Sequence, residues 1–143
     1  MPIISGMTEA LKLDLLTGQV HDFRTDVIKA ALYTSVANLD PTNTTIYSPT
    51  NEATGVNWPA GGVVLPVRVG YPQIEPPTRY GVVAFQDVSV NSVTVTFRAI
   101  LIYNSTRANR ALMILDRGID VVVSSGTVFL SSNPYRPNLI VLA

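Results

Sequence analysis

The chain has 143 residues and no cysteine, with Lys+Arg 10 against Asp+Glu 10; only 14% of its residues are charged and 47% are hydrophobic. That length suits one domain able to bury a core without a staple. The missing cysteine excludes disulfides and thiolate sites, and the zero net charge leaves no electrostatic footprint for nucleic acid.

So sparse a charge, against roughly 25% in an ordinary soluble domain, fits either exposed faces of Ser, Thr and Asn, as β-proteins use, or, the favoured reading, surfaces covered by partners. No apolar run reaches membrane-spanning length. No basic segment leads into a long apolar stretch, so no signal peptide is expected.

In chain order, Met1 to Gly6 is a short apolar arm of the kind that adds to a neighbour. Thr8 to Leu16 predicts the one helix, with Thr8 as N-cap, Leu11, Leu15 and Leu16 on one side, and Gly18 as the stop. Val20 to Phe23 is read as the alternative start of a strand.

Asp26 to Thr34 predicts a strand apolar on both faces near its centre, hence well buried. Ala37 to Pro59 is a long polar stretch rich in turn signals, with Thr44 to Tyr47 as a short edge strand inside it. Gly61-Gly62 marks a turn. Val63 to Val69 is a strand that Pro66 confines to an edge or a bulge.

Pro72, Pro76 and Pro77 mark a second irregular loop, and Gly81 to Val88 another strand. After a turn at Asn91-Ser92, Val93, Val95, Phe97, Ala99, Leu101 and Tyr103 alternate with Thr94, Thr96 and Arg98, the period of a half-buried strand. A polar turn flanked by Arg107 and Arg110 leads to Ala111 to Leu115. Asp120 to Val123 and Gly126 to Leu130 follow as strands of a tight hairpin turning at Ser124-Ser125-Gly126. Asn138 to Leu142 is the last strand.

About eight short strands and a single helix predict an all-β fold, an antiparallel β-sandwich, with the jelly roll as its favoured form. Neither repeats nor a linker divide the chain, so residues 1–143 are read as one domain with an N-terminal arm over about residues 1–7.

A search for chemistry finds little. His21 is the single histidine; it neighbours Asp22 and Asp26 but has no serine in a nucleophile motif, and it reads as a surface side chain between helix and first strand. A zinc site lacks ligands, the aspartates lack calcium-loop spacing, and Gly61-Gly62 is followed by valines where a phosphate loop needs lysine. Glu52 and Glu75 both fall on loops and form the one carboxylate pair that a glycosidase reading could use. Asp116-Arg117 reads as a local ion pair. No enzyme, cofactor or metal is expected.

Trp58, Tyr71, Tyr80 and Tyr135 sit on or near loops. They offer either a sugar-stacking platform or anchors for a protein interface. The interface candidates by residue type and placement are Ile3 and Ile4 of the arm, Trp58, Tyr71 and the Tyr135-Arg136 pair between two prolines.

Three segments carry a family resemblance: Leu13-Asp-Leu-Leu-Thr-Gly-Gln-Val-His-Asp-Phe-Arg-Thr-Asp-Val-Ile-Lys-Ala-Ala-Leu-Tyr-Thr-Ser35, Thr50-Asn-Glu-Ala-Thr-Gly55 with Ala60-Gly-Gly62, and Ala99-Ile-Leu-Ile-Tyr-Asn-Ser-Thr-Arg-Ala-Asn-Arg-Ala-Leu-Met-Ile-Leu-Asp-Arg-Gly118. Together they resemble small virion proteins of tailed bacteriophages, in particular the capsid cement (decoration) proteins of short-tailed phages; the proline-rich Tyr71 to Pro77 stretch lies outside the likeness.

The resemblance implies a jelly roll on the capsid exterior, often a homodimer, with a trimer as the alternative, and the major capsid protein as partner. Many copies would staple neighbouring capsid subunits against the pressure of packaged DNA, the lattice supplying multivalency. Direct nucleic-acid or membrane contact is not implied. The alternative is a tail, neck or head-fibre protein with a carbohydrate-binding face.

Overall fold

The computed structural model describes residues 3–131 and 138–142. Its elements are β1 (Gly6–Met7), α1 (Glu9–Thr17), β2 (Ile28–Tyr33), β3 (Val63–Val64), β4 (Gln73–Glu75), β5 (Tyr80–Ala84), β6 (Val88–Asn104), β7 (Arg110–Leu130) and β8 (Asn138–Leu142). They build a five-stranded sheet of order β1-β7-β6-β2-β3 and a three-stranded sheet of order β4-β5-β8, every pairing antiparallel. The fold is therefore all-β with one short helix, as expected. The strand orders do not by themselves draw a jelly roll.

The sheets meet face to face. Ile28, Ala30 and Ile102 of the larger sheet pack with Val83 of the smaller and with Phe85 just past its strand β5, and Leu11 of α1 closes the end of that core. The other face of the larger sheet is covered by chain between its strands: Ala37 and Leu39 lie against Ala31, Tyr33, Leu101 and Ile114. On the first face, farther out, Ala53 and Trp58 lie against Leu32, Val93, Val95 and Phe97. The stretch expected as a long polar loop thus wraps the sheet and covers part of both faces. Thr44 to Tyr47 forms no strand, only the single bridge Ile46↔Arg110.

The helix ends follow local chemistry. The Thr8 hydroxyl accepts from Leu11 N–H at 3.2 Å, and Gly18 closes the helix at φ 78°. Its buried side consists of Ala10, Leu11 and Asp14, while Leu16, expected beside Leu11, is 86% exposed. Val20 to Phe23 is not a strand. Asp22 folds the chain back instead, its carboxylate accepting from Arg24 N–H at 3.0 Å and its carbonyl from Asp26 N–H at 2.8 Å.

Pro66 marks where the chain changes sheets. Leu65 N–H still bonds Ile28 of the larger sheet, whereas Arg68 N–H bonds Ala84 of the smaller, so Val63 to Val69 is not one strand. Strand β4 forms within the proline segment expected as irregular, paired to β5. The run from Gly81 to Val88 divides between β5 and the start of β6.

The largest departure concerns the breaks expected at Asn91-Ser92 and Ser124-Ser125-Gly126. Neither is a turn. Strands β6 and β7 run as one long ribbon from Val88↔Leu130 to Asn104↔Arg110, and both places are bulges in it. Ser92 (φ 57°) and Ser125 (φ 46°) hold the left-handed conformation that a bulge needs as much as a turn does. Across the first, three steps on β6 match two on β7; across the second, two steps on β6 match three on β7.

The arm is not free either. Ile4 N–H donates to Leu39 carbonyl at 2.9 Å, Ile3 packs on the core behind it, and β1 pairs with β7.

Candidate functional site

The densest polar cluster sits at the turn end of the β6–β7 ribbon. Strands β6 and β7 bring Asn104 and Arg110 there, the turn between them brings Arg107, α1 brings Asp14, and the Asp22 fold-back brings His21 and Asp26. The Arg110 guanidinium forks onto Asp14, Nε to Oδ2 at 2.8 Å and Nη2 to Oδ1 at 2.9 Å. His21 Nε2 lies 2.8 Å from Asp14 Oδ2. Asp26 Oδ2 accepts from Asn104 Nδ2 at 2.8 Å, Arg107 Nε at 2.9 Å and Asp22 N–H at 3.0 Å.

Asn104 decides what His21 can do. Its Oδ1 accepts two backbone N–H groups, from Thr106 and Arg107, both at 3.1 Å. That fixes the amide with its NH2 toward Asp26 and toward His21 Nδ1, 3.1 Å away. The imidazole therefore accepts at Nδ1 and donates at Nε2. With its side chain 1% exposed, it is a buried structural group, contrary to its reading as a surface histidine. No ring nitrogen is left to take a proton from a substrate.

The carboxylates of this cluster are tuned for holding charge. The Arg110 hydrogen bond, aided by His21 and opposed by burial, keeps the Asp14 carboxyl below the usual carboxylate value. Burial pushes the Asp26 carboxyl up, but the bonds from Arg107, Asn104 and Asp22 N–H together outweigh it. Arg107 and Arg110, which flank the polar turn, are engaged within the chain. Asp116 likewise pairs with Arg98 across the ribbon, Oδ1 to Nε at 3.0 Å, not with its neighbour Arg117.

A second cluster consumes Glu52. Its Oε2 accepts from Tyr47 hydroxyl and its Oε1 from Gly61 N–H, each at 2.7 Å. Tyr103 stacks on Tyr47 with centroids 4.8 Å apart and donates to Gly61 carbonyl at 2.6 Å. Burial, with the Glu52 bond next, drives the Tyr47 phenol far above its ordinary value. Glu75 accepts from Tyr71 hydroxyl at 2.9 Å. The two glutamates are thus bonded to different tyrosines, Tyr47 and Tyr71. Among the described residues no group of three or more His, Asp or Glu is placed to hold a metal ion.

Of the interface candidates, Trp58 is 5% exposed and belongs to the core, because the chain from Ala37 to Pro59 folds onto the sheet. Its ring is therefore not an exposed face for a partner or a sugar to stack on. Tyr71 is half-buried and bonded to Glu75, Ile3 is packed inward, and Ile4 is exposed. Tyr135 and Arg136 lie outside the described residues.

Exposed apolar side chains outside the interface candidates include Leu13, Leu16 and Val20 around α1, and Val122 and Phe129 on β7. The helix signal was legible: four leucines within six residues, Leu11 to Leu16, cannot all face one core when Asp14 takes a place in it. No family model, curated protein or solved structure matches the chain.

Proposed function

We propose that the chain is a non-enzymatic virion structural protein that binds the outside of a tailed-phage capsid and staples neighbouring major capsid subunits. The observation that carries the binding role is a division of labour in the side chains. The groups able to do chemistry, Asp14, His21, Asp26 and Glu52, are taken up by internal bonds, while leucines and valines stand in solvent on α1 and β7. Such a surface serves contact, not catalysis. The capsid as partner rests on the resemblance of the segments Leu13–Ser35 and Ala99–Gly118 to cement proteins.

In this role α1 is the capsid-facing element. Leu13, Leu16 and Val20 form an apolar patch beside a scaffold held rigid by the Asp14–Arg110 fork. Multivalency on the lattice makes a modest patch sufficient.

Cryo-microscopy of the parent particle tests the proposal. Density for this chain between capsomers on the head surface is expected; density confined to the tail or neck overturns it. Recombinant chain added to particles lacking it should restore occupancy, and Leu13→Asp with Leu16→Asp should reduce that occupancy while the melting temperature stays unchanged.

A further inference from the structure

We propose that the outer edge of β7, from Val121 to Leu130, is a self-association surface on which a second copy of this chain adds antiparallel, about a two-fold axis between Ser125 and Gly126. Strand β1 pairs with β7 only at Met113 and Ile114. Among the described residues no strand covers that edge farther along, although the inner edge is paired to β6 out to Leu130. Open edges are ordinarily blunted by lysine, proline or other charges. From Val121 to Ser131 this one has neither a charged residue nor a proline, and only bulges interrupt it.

The edge is nearly symmetric in its chemistry. Reading outward from Ser125-Gly126, Ser124 matches Thr127, Val123 matches Val128, Val122 matches Phe129 and Val121 matches Leu130. An antiparallel second copy therefore sets apolar against apolar and small polar against small polar, as an isologous interface requires. With no charge on the edge, two copies bring no like charges together, and a charged partner gains nothing from it.

The bulge at Ser124-Ser125 makes the geometry possible. Residues opposite each other in a sheet share a face, yet Val122 and Phe129 are an odd number of positions apart and would face oppositely in a regular strand. The one extra residue on β7 between Val123 and Gly126 reverses that. Val121, Val123, Val128 and Leu130 consequently all pack toward Trp58 and Phe97, and Val122 and Phe129 share the other face. In one copy Val122 stands opposite Thr96, and Phe129 opposite Ser89. Neither has an apolar cross-strand neighbour, and they remain 71% and 59% exposed. The second copy supplies that neighbour twice, Phe129 to Val122 and Val122 to Phe129.

The chain has no cysteine, so disulfide trapping reads the register directly. Within one copy positions 122 and 129 are roughly 20 Å apart along the strand, too far for a bridge. The double variant Val122→Cys with Phe129→Cys should form a covalent dimer under mild oxidation. Neither single variant should, because like positions lie far apart across the two-fold axis.

Light scattering should give twice the 15.5 kDa chain mass for the wild type and one chain mass for Val122→Lys with Phe129→Lys, with Leu16→Lys leaving the dimer intact. A monomeric wild type, cross-linking by either single variant, or a dimer indifferent to the paired lysines overturns the proposal. A cooperative melt and an unchanged far-ultraviolet circular dichroism spectrum in the paired-lysine variant separate lost association from lost fold, since loss of the partner alone lowers the melting temperature by mass action. Edge pairing does not depend on where in a particle the chain sits, so a solution dimer absent from the head surface would leave it standing.

Discussion

The two ends of the β6–β7 ribbon share the same strands and are held in different ways. At the turn end both faces are covered: Leu101 and Ile114 lie under Leu39, while Ile102 and Leu112 meet Leu11 and Phe85. There the termini of the strands are tied to α1 and to the fold-back by the Asp14–Arg110 and Asp26–Arg107 pairs. At the far end one face meets Trp58 and Ala53, the other faces solvent, and among the described residues no ion pair crosses it beyond Arg98–Asp116. The covering chain approaches closely there, since a Cβ on Gly55 would lie 1.9 Å from Thr94 carbonyl. Charge is spent on closing one end of the sheet, and the uncharged end is left open to pair.

The largest loss is expected in the core of the closed end. Leu101 is fully buried, so Leu101→Ala should cost about 3 kcal/mol, the lower part of the range for a leucine truncated in a packed core. Denaturant titration measures it; a loss below about 1 kcal/mol would mean the closed end is not tightly packed. Asp14→Ala should follow closely. It strands the buried His21 and the Arg110 guanidinium, and its cost should be about 2–3 kcal/mol, less than for a wholly buried pair because Arg110 keeps part of its side chain in water.

Acid probes the same end without mutation. The Asp14 and Asp26 carboxyls are held below the ordinary value of 3.8. Their contribution is complete above that value and is lost as the pH falls through the lower folded values, where protonation removes the ion pairs. Amide exchange at the turn end, in Leu101 to Asn104 and Arg110 to Leu112, should accelerate across that window. The Val88–Val95 end has no carboxylate of this kind and should show less change. Asp14→Asn should flatten the difference; an equal acid response at both ends would erase it.

These differences were only partly legible beforehand. Thr8 and Gly18 carry their signals within a few residues, and the structure follows them. The alternation from Val93 to Tyr103 is followed in burial, but the register shift between Phe97 and Ala99 sends Val93 to Phe97 to the face of Leu32 and Ala99 to Tyr103 to the face of Ala31 and Tyr33. The polar cluster has no such local signal, because His21 meets Asn104 and Asp14 meets Arg110 only after the ribbon folds back on the helix. Its trace in sequence is Asp14 among the helix's buried positions, a charge that needs a distant partner. Asn91-Ser92 and Ser124-Ser125 misled for a different reason. Residues that tolerate positive φ serve turns and bulges alike, and only the length of the paired strand tells them apart. Trp58 was misplaced because polar residues outnumber Ala37, Leu39 and Ala53 in its segment, though those few apolar positions are what folds the segment down.

A smaller effect should come from the helix cap. Thr8 is buried, accepts from Leu11 N–H, and donates to Ala111 carbonyl at 2.7 Å, so it joins α1 to the first residues of β7. Thr8→Ala should cost about 1–2 kcal/mol, the usual loss for a cap, and Thr8→Ser should recover most of it. Failure of serine to recover would assign the loss to the threonine methyl group and not to the cap.

The smallest effect on stability, and the sharpest test of the comparison, belongs to Val122→Thr. Threonine keeps the branched shape and strand preference of valine, and position 122 is 71% exposed opposite Thr96. Unfolding of the isolated chain should change by no more than about 0.5 kcal/mol. Self-association should nonetheless weaken, because the hydroxyl replaces a methyl group that meets Phe129 of the second copy. A stability loss above about 1 kcal/mol, measured where the chain is monomeric, would mean that this face is already packed within one copy. Unchanged stability with a weakened dimer separates what folds the ribbon from what it is left free to bind: the closed end loses stability when its side chains are cut back, and the open end loses a partner.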